Sequence, residues 1–367
     1  MKKLFYFLMT LIMLVSCTDK VLIDYGYNAN DDALSKDVPG YIHFGTNFSM
    51  PNMTKAIIDS QADLQNNKFG VFAKINDLNS YNITLNPADN GYFINDDTLA
   101  FSASKWALEN NKHYFWPAVS NVDSLDPTLN FYAFGPRNID RDGITVAANE
   151  VSIDVIADSI DEGIKDLVYA KALNQTYKKD NGNNKGTTGE PEVGYVRFDF
   201  EHQLSWVEFK AKYTTDFDTL TLNSITIHVD STNAVFTINT NDGTTSLTKS
   251  VSPFNHVLDT IGLFKNYQVV GGFVALPQKV NDDMIAIINY TATINGTTET
   301  VEATVKLNHG TLTETGAVPA PWNINKWEKG YKYIYRVNIQ WREILFDVTV
   351  APWTVSTSGG QSEYLIY

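Results

Sequence analysis

Short runs of β-branched and aromatic residues recur along this chain, each closed by Gly, Pro, Asn or Asp, and most are too brief for a helix. Tyr41 to Phe48 alternates, which places Ile42, Phe44, Thr46 and Phe48 on one face. Phe69 to Ile75 and Leu129 to Phe134 are nearly continuous apolar strands, the second closed by Gly135-Pro136; Ile144 to Val155 and Asp166 to Leu173 follow. The rhythm resumes with Val196 to Phe200, Leu204 to Tyr213 and Leu220 to Val229. Val235 to Ile238 leads into Asn241-Asp242-Gly243, and Asn281 to Ile294 into Asn295-Gly296, both hairpin signals; Val301 to Leu307 is the natural partner of the latter. Tyr331 to Trp341 and Ile344 to Trp353 complete the series. A strand with one apolar face must bury it against another layer. The chain is therefore predicted to be all-β, with two β-sandwiches in tandem. A short helix fits only near Ala56 to Leu64, because the β-branched content elsewhere opposes helix.

Cys17 is the only cysteine in 367 residues, so no disulfide can form within the chain and packed cores must supply the stability. The N-terminus reads as a secretory signal. Lys2 and Lys3 precede an apolar run from Leu4 to Val15, which is shorter than the roughly 20 residues of a permanent membrane helix. The run ends in Leu14-Val15-Ser16-Cys17, which resembles a bacterial lipobox with Cys17 as the acylated first residue of the mature chain; the alternative is an ordinary signal with a stray cysteine. The expected division is a signal at 1–17, a tether at 18–40, a sandwich at 41–180, a polar linker at 181–194 and a second sandwich at 195–367.

Composition excludes several functions. Removing Lys2 and Lys3 with the signal takes the formal charge from −14 to −16, a surface that repels phosphate backbones, so no nucleic-acid partner is expected. There is no Gly-x-Ser-x-Gly elbow, no His-Glu-x-x-His and no phosphate-binding Gly-x-x-x-x-Gly-Lys loop. His43, His113, His202, His228, His256 and His309 lack ligand spacing. The acid pairs Asp31-Asp32, Asp96-Asp97 and Asp282-Asp283 fit solvated turns better than calcium loops or catalytic pairs. No catalytic residue, metal or cofactor is predicted. Trp106, Trp116, Trp206, Trp322, Trp327, Trp341 and Trp353 fit core aromatics better than a sugar-stacking platform.

Tyr41-Ile-His-Phe44, Met53-Thr-Lys-Ala56 and Phe69-Gly-Val-Phe72 come in an order that matters more than any one of them. Tyr114-Phe-Trp-Pro117, Leu129 to Pro136, Asp166-Leu-Val-Tyr-Ala170 and Phe200-Glu-His-Gln-Leu-Ser-Trp-Val207 continue it. Phe273-Val-Ala-Leu-Pro-Gln278, Gly330-Tyr-Lys-Tyr333 and Val348-Thr-Val-Ala-Pro-Trp353 complete it. This succession, running from Cys17 to the C-terminus, resembles the fimbrillin family, subunits of type V pili of the Bacteroides group. The resemblance implies transthyretin-like sandwiches, export as an outer-membrane lipoprotein, and a surface fimbria built with other fimbrial subunits. It further implies that a protease removes the first strand and that a neighbour's C-terminal strand fills the vacancy. A tip adhesin, an anchor, or a glycan-binding lipoprotein that meets a host or bacterial surface receptor is the alternative.

Transferred residue by residue, processing falls between Lys55 and Ala56; the removable strand carries Tyr41, Ile42, Phe44 and Phe48; and the donor tail carries Tyr364, Leu365, Ile366 and Tyr367. Tyr364 to Tyr367 could equally be a last strand of its own domain. The family's cleavage position usually carries Arg, whereas here Lys55 occupies it and no arginine precedes Arg137. Either a protease accepting lysine acts there or the strand is retained. Asp followed by Ser or Thr and then an apolar residue or Thr resembles the O-glycosylation sequon of this bacterial group. It marks Thr98, Ser124, Ser159, Thr219, Ser231 and Thr260, although the same pairs also form turns.

Overall fold

A computed structural model describes residues 42–47, 61–76, 85, 87–102, 105–117, 127–137, 143–157, 166–176, 195–258, 261–262, 265–309 and 324–353. The signal and tether, Cys17, Tyr41, Phe48, Lys55, Ala56, Ser124, Ser159, the linker at 181–194, Thr260, Trp322 and the tail Tyr364 to Tyr367 lie outside them. The fold is all-β, as the strand rhythm predicts, with one short α-helix among the described residues, at Gln61–Asn66.

The first half supplies β1 (His43–Asn47), β2 (Phe69–Ile75), β3 (Ile94–Ser102), β4 (Lys105–Leu108), β5 (Leu129–Gly135), β6 (Ile144–Ala147), β7 (Glu150–Ile156) and β8 (Val168–Gln175). Next come β9 (Tyr195–Asp199) and β10 (Glu201–His202). Eight of these make one sheet in the order β10-β8-β5-β2-β3-β4-β1-β9. Its ends are occupied by β9 and β10, which only Phe200 separates in the chain. Two residue steps span roughly 7 Å at most, so the two ends of the sheet lie close together and the sheet curls around a core. That core holds Phe69, Val71, Ala73 and Ile75 of β2 with Leu129, Phe131 and Ala133 of β5.

The opposite face of the same strands is also buried, which explains why β2 and β5 read as continuous rather than alternating runs. Phe72, Tyr132, Phe134 and Tyr169 meet a second layer there. That layer combines β6 and β7 with β13 (Asn233–Asn239) and β14 (Thr245–Lys249), reached through β11 (Ser205–Tyr213) and β12 (Thr219–Val229), in the order β14-β13-β7-β6. The expected division at 181–194 is thus crossed by strand pairing. Both β9 and β10, and the β13–β14 hairpin, pair with strands from before the linker.

The rest of the chain forms β15 (Phe254–Leu258), β16 (Ile261–Gly262), β17 (Gln268–Ala275), β18 (Gln278–Lys279), β19 (Ile285–Ile294), β20 (Thr297–Lys306), β21 (Lys326–Trp327), β22 (Tyr331–Gln340) and β23 (Glu343–Pro352). Sheets β17-β11-β22-β23 and β15-β12-β19-β20 enclose a third core. Tyr335 is stacked between Phe209 at 5.2 Å and Phe346 at 5.4 Å. Its buried hydroxyl donates to Leu307 O at 2.9 Å and accepts from Trp327 Nε1 at 3.1 Å, so no polar group is stranded there. The Asn295-Gly296 signal closes the β19–β20 hairpin with φ of 48° and 74°, the left-handed pair a tight two-residue hairpin turn requires.

Candidate functional site: the first strand and its slot

Strand β1 is an interior strand. It pairs antiparallel with β4 through Phe44 opposite Trp106, and parallel with β9 from His43 opposite Tyr195 to Asn47 opposite Asp199. The alternation seen in the sequence points its apolar side inward: Ile42 and Phe44 are 2% and 4% exposed, within the core of the curled sheet. The Phe44 ring lies parallel to Phe198 at 6.2 Å and edge-on to Phe131 at 6.2 Å, both favourable ring geometries. Thr46 takes the third inward position. Its hydroxyl accepts from the Trp106 indole N–H at 2.8 Å, and Trp106 packs against Phe69 at 4.6 Å.

The end of the slot is held by the Tyr114-to-Pro117 run. Tyr114 O accepts the Ile42 amide at 2.9 Å, while the Tyr114 hydroxyl and Lys112 both bind the buried Asp97 carboxylate. Trp116 sits edge-on to Phe131 at 5.9 Å. The neighbouring carboxyl of Asp96 is pushed above its ordinary value by burial, an effect that the Arg137 guanidinium at 2.7 Å partly opposes. Burial also holds the His113 imidazole below its ordinary value.

Taking β1 away would leave two ladder edges, on β4 and on β9, bare along an aromatic groove. Unpaired edges of that kind invite strand addition. Ile42 and Phe44 each contribute about 1.5–3 kcal/mol of burial, the scale of driving force a replacement strand would recover. The sequence located β1 and its inward residues but gave no sign of Trp106, Phe131, Tyr195 or Phe198 as its partners. The alternation at Val196 to Phe200 marked a strand, not its neighbour.

The remaining predicted positions do not converge on a second site. Thr98 is half-buried in β3, opposite Gly70. Thr219 is exposed at the start of β12. Ser231 is buried, its hydroxyl bonded to Ser250 O. Trp106, Trp116, Trp206, Trp327 and Trp353 are buried in cores, as their core reading requires; Trp341 is half-buried. His202 is buried against Asp166 at 2.8 Å and stacked on Trp353 at 3.6 Å, and His256 is stacked on Phe273 at 3.9 Å. Among the described residues, no three His, Cys, Asp or Glu side chains are grouped to hold a metal.

A multi-sheet β-protein whose first described strand is seated inside a core sheet, paired on both edges, is the class that fold and site together define. The chain belongs to the fimbrillin-like family, whose model matches residues 54–353. It is similar in fold to a fimbrial protein from Bacteroides vulgatus, at TM-score 0.55 and 16% identity, over 86% of this chain and 100% of that one. It is likewise similar to a proposed cell adhesion protein from Bacteroides uniformis, at TM-score 0.51 and 18% identity, over 87% of this chain and 100% of that one. No curated protein matches the sequence.

Proposed function

We propose that this protein is a structural subunit of a surface fimbria, exported as a lipoprotein through Cys17 and assembled when β1 is removed and replaced by a strand of another subunit. Family membership and the fimbrial relative support the first part. The observation that carries the second is the seat of β1: a five-residue strand with both edges paired and Ile42 and Phe44 in the core, so that its loss creates a slot rather than a blunt edge. Processing after Lys55 releases the strand, and the tail from Tyr364 to Tyr367 is the candidate donor. The protein acts at the cell surface, bound first to the outer membrane and then to its fimbrial neighbours. No catalytic role is proposed.

Lys55 in place of arginine favours a second reading, an anchor or terminal subunit that keeps β1 and its lipid. N-terminal sequencing of the protein taken from cells separates the two. A start at Ala56, with ladders that resist detergent, supports strand replacement. A blocked start at Cys17 in every assembled molecule rules it out and leaves the anchor. Of the glycosylation positions within the described residues, Thr219 has the open surface a glycosyltransferase needs, and Ser231 does not. Intact-mass analysis showing no added hexose would dispose of modification altogether.

A further inference from the structure

We infer that the β1 slot selects its incoming strand by sequence, accepting an apolar residue, a flat-ringed residue, an aromatic, a glycine and a hydroxyl residue in that order, and that Tyr195 enforces the glycine. This rests on the proposal that β1 is replaceable, and deepens it by naming the kind of strand that fits. Ile42, His43, Phe44, Gly45 and Thr46 are the template. The apolar and aromatic positions follow from the core contacts of Ile42 and Phe44.

The glycine follows from the opposite face of β1. The Tyr195 ring, on neighbouring β9, leans diagonally over Gly45. A Cβ added there would lie 2.8 Å from the Tyr195 hydroxyl and 2.9 Å from its Cζ, closer than packed atoms tolerate. The same ring stacks on His43 at 6.4 Å and 18° between planes, so swinging it aside surrenders that stacking and uncovers the Gly45 backbone. An aromatic that covers a cross-strand glycine stabilises a sheet as a pair, and a side chain on the glycine cannot share the space. The hydroxyl position follows from Trp106, whose part-buried indole N–H donates to Thr46 Oγ1 at 2.8 Å and would lose that acceptor if an apolar residue took its place. The partner is therefore an extended strand from a fimbrial subunit carrying this five-residue pattern. The tail Tyr364 to Tyr367 supplies apolar and aromatic residues but neither the glycine nor the threonine-like hydroxyl, so under this rule it serves as donor to the slot of a different fimbrial subunit and not to a second copy of this chain.

The test uses the full chain with Cys17→Ser and one engineered protease site at Lys55, folded first and cut afterwards, so that β1 stays seated without a covalent link. Fluorescent peptides are then offered in excess and their entry is followed by anisotropy. They are the native 41–48 sequence, its Phe44→Ala, Gly45→Ala, Gly45→Val and Thr46→Val forms, and the 361–367 tail. The native peptide is expected to enter, the Gly45→Val form about tenfold or more weakly, and the Gly45→Ala form between them. A Tyr195→Ala acceptor should take the Gly45→Val peptide nearly as well as the native one. Equal entry of the Gly45 series on the unaltered acceptor overturns the selection rule while leaving strand replacement intact. So does a tail peptide that binds as tightly as the native one, or a Gly45→Val deficit that persists on Tyr195→Ala. Should Tyr195→Ala fail to fold, the graded glycine series decides alone. If not even the native peptide enters, strand replacement fails and the rule falls with it.

Discussion

Phe44 ties β1 into the core of the eight-stranded sheet, because its ring lies parallel to Phe198 of the neighbouring strand β9 and edge-on to Phe131 of β5. Truncation leaves a cavity lined by aromatics that cannot collapse. Phe44→Ala is expected to cost about 3–5 kcal/mol in urea denaturation, a large fraction of the ~5–15 kcal/mol typical of a whole domain. Thr46→Val is nearly the same shape but removes the acceptor of the Trp106 indole. It should cost about 1–3 kcal/mol, read in the same way. If Phe44→Ala left the midpoint unmoved, β1 would not be seated in the core at all.

At the scale of elements, the β13–β14 hairpin is the piece with the largest consequence for shape. Its turn docks on the eight-stranded sheet through phenol hydroxyls that donate to backbone oxygen: Tyr132 to Thr240 O at 2.8 Å and Tyr169 to Gly243 O at 3.2 Å. The Tyr92 hydroxyl donates to Ala147 O at 2.9 Å and meets Thr240 Oγ1 at 3.0 Å. Gly243, with φ of 69°, also lets the turn approach the Lys171 and Tyr132 side chains. Burial raises the phenols of Tyr132 and Tyr169 well above the ordinary value near 10. Between 10 and the raised values the folded chain keeps protons that the unfolded chain releases. Their stabilising contribution is therefore complete below pH 10 and is lost as pH rises beyond it. Thermal melts from pH 9 to 12 should fall steeply above 10. The paired Tyr132→Phe and Tyr169→Phe changes should flatten that fall while lowering the melt at neutral pH. An unchanged slope would mean that other groups govern alkaline unfolding.

On the scale of the whole molecule, the middle core draws Val151 and Ile153 from before the linker, and Phe236, Ile238, Val274 and Trp353 from after it. The two halves should therefore not be separable. A chain ending at residue 194 lacks β9, β10 and the β13–β14 hairpin, and it should give no cooperative melt. The intact chain should unfold in a single calorimetric transition rather than two. Two resolved transitions, or a folded 1–194 fragment, would show the shared core to be marginal.

Local pattern sufficed for many of the strands, their inward faces and the β19–β20 turn, because side-chain period and turn chemistry are set within a few residues; but the run Ile144 to Val155 is a hairpin of β6 and β7, not one strand, and β3, β4, β15 and β17 went unmarked. Tyr41 to Phe48 could be read as a strand with a buried face for that reason. The same reasoning misses partners: β1 lies beside β9, about 150 residues away, and no local signal distinguishes that neighbour from any other strand. The polar stretch at 181–194 looked like a boundary because linkers are polar, yet pairing crosses it, since a strand completes whichever sheet offers an unfilled edge and an apolar face. Alternation and turns thus establish an all-β chain with an apolar first strand. That this strand is an interior one, gripped on both edges and overlaid by Tyr195, is a property of long-range pairing and packing, which arise only when distant segments meet.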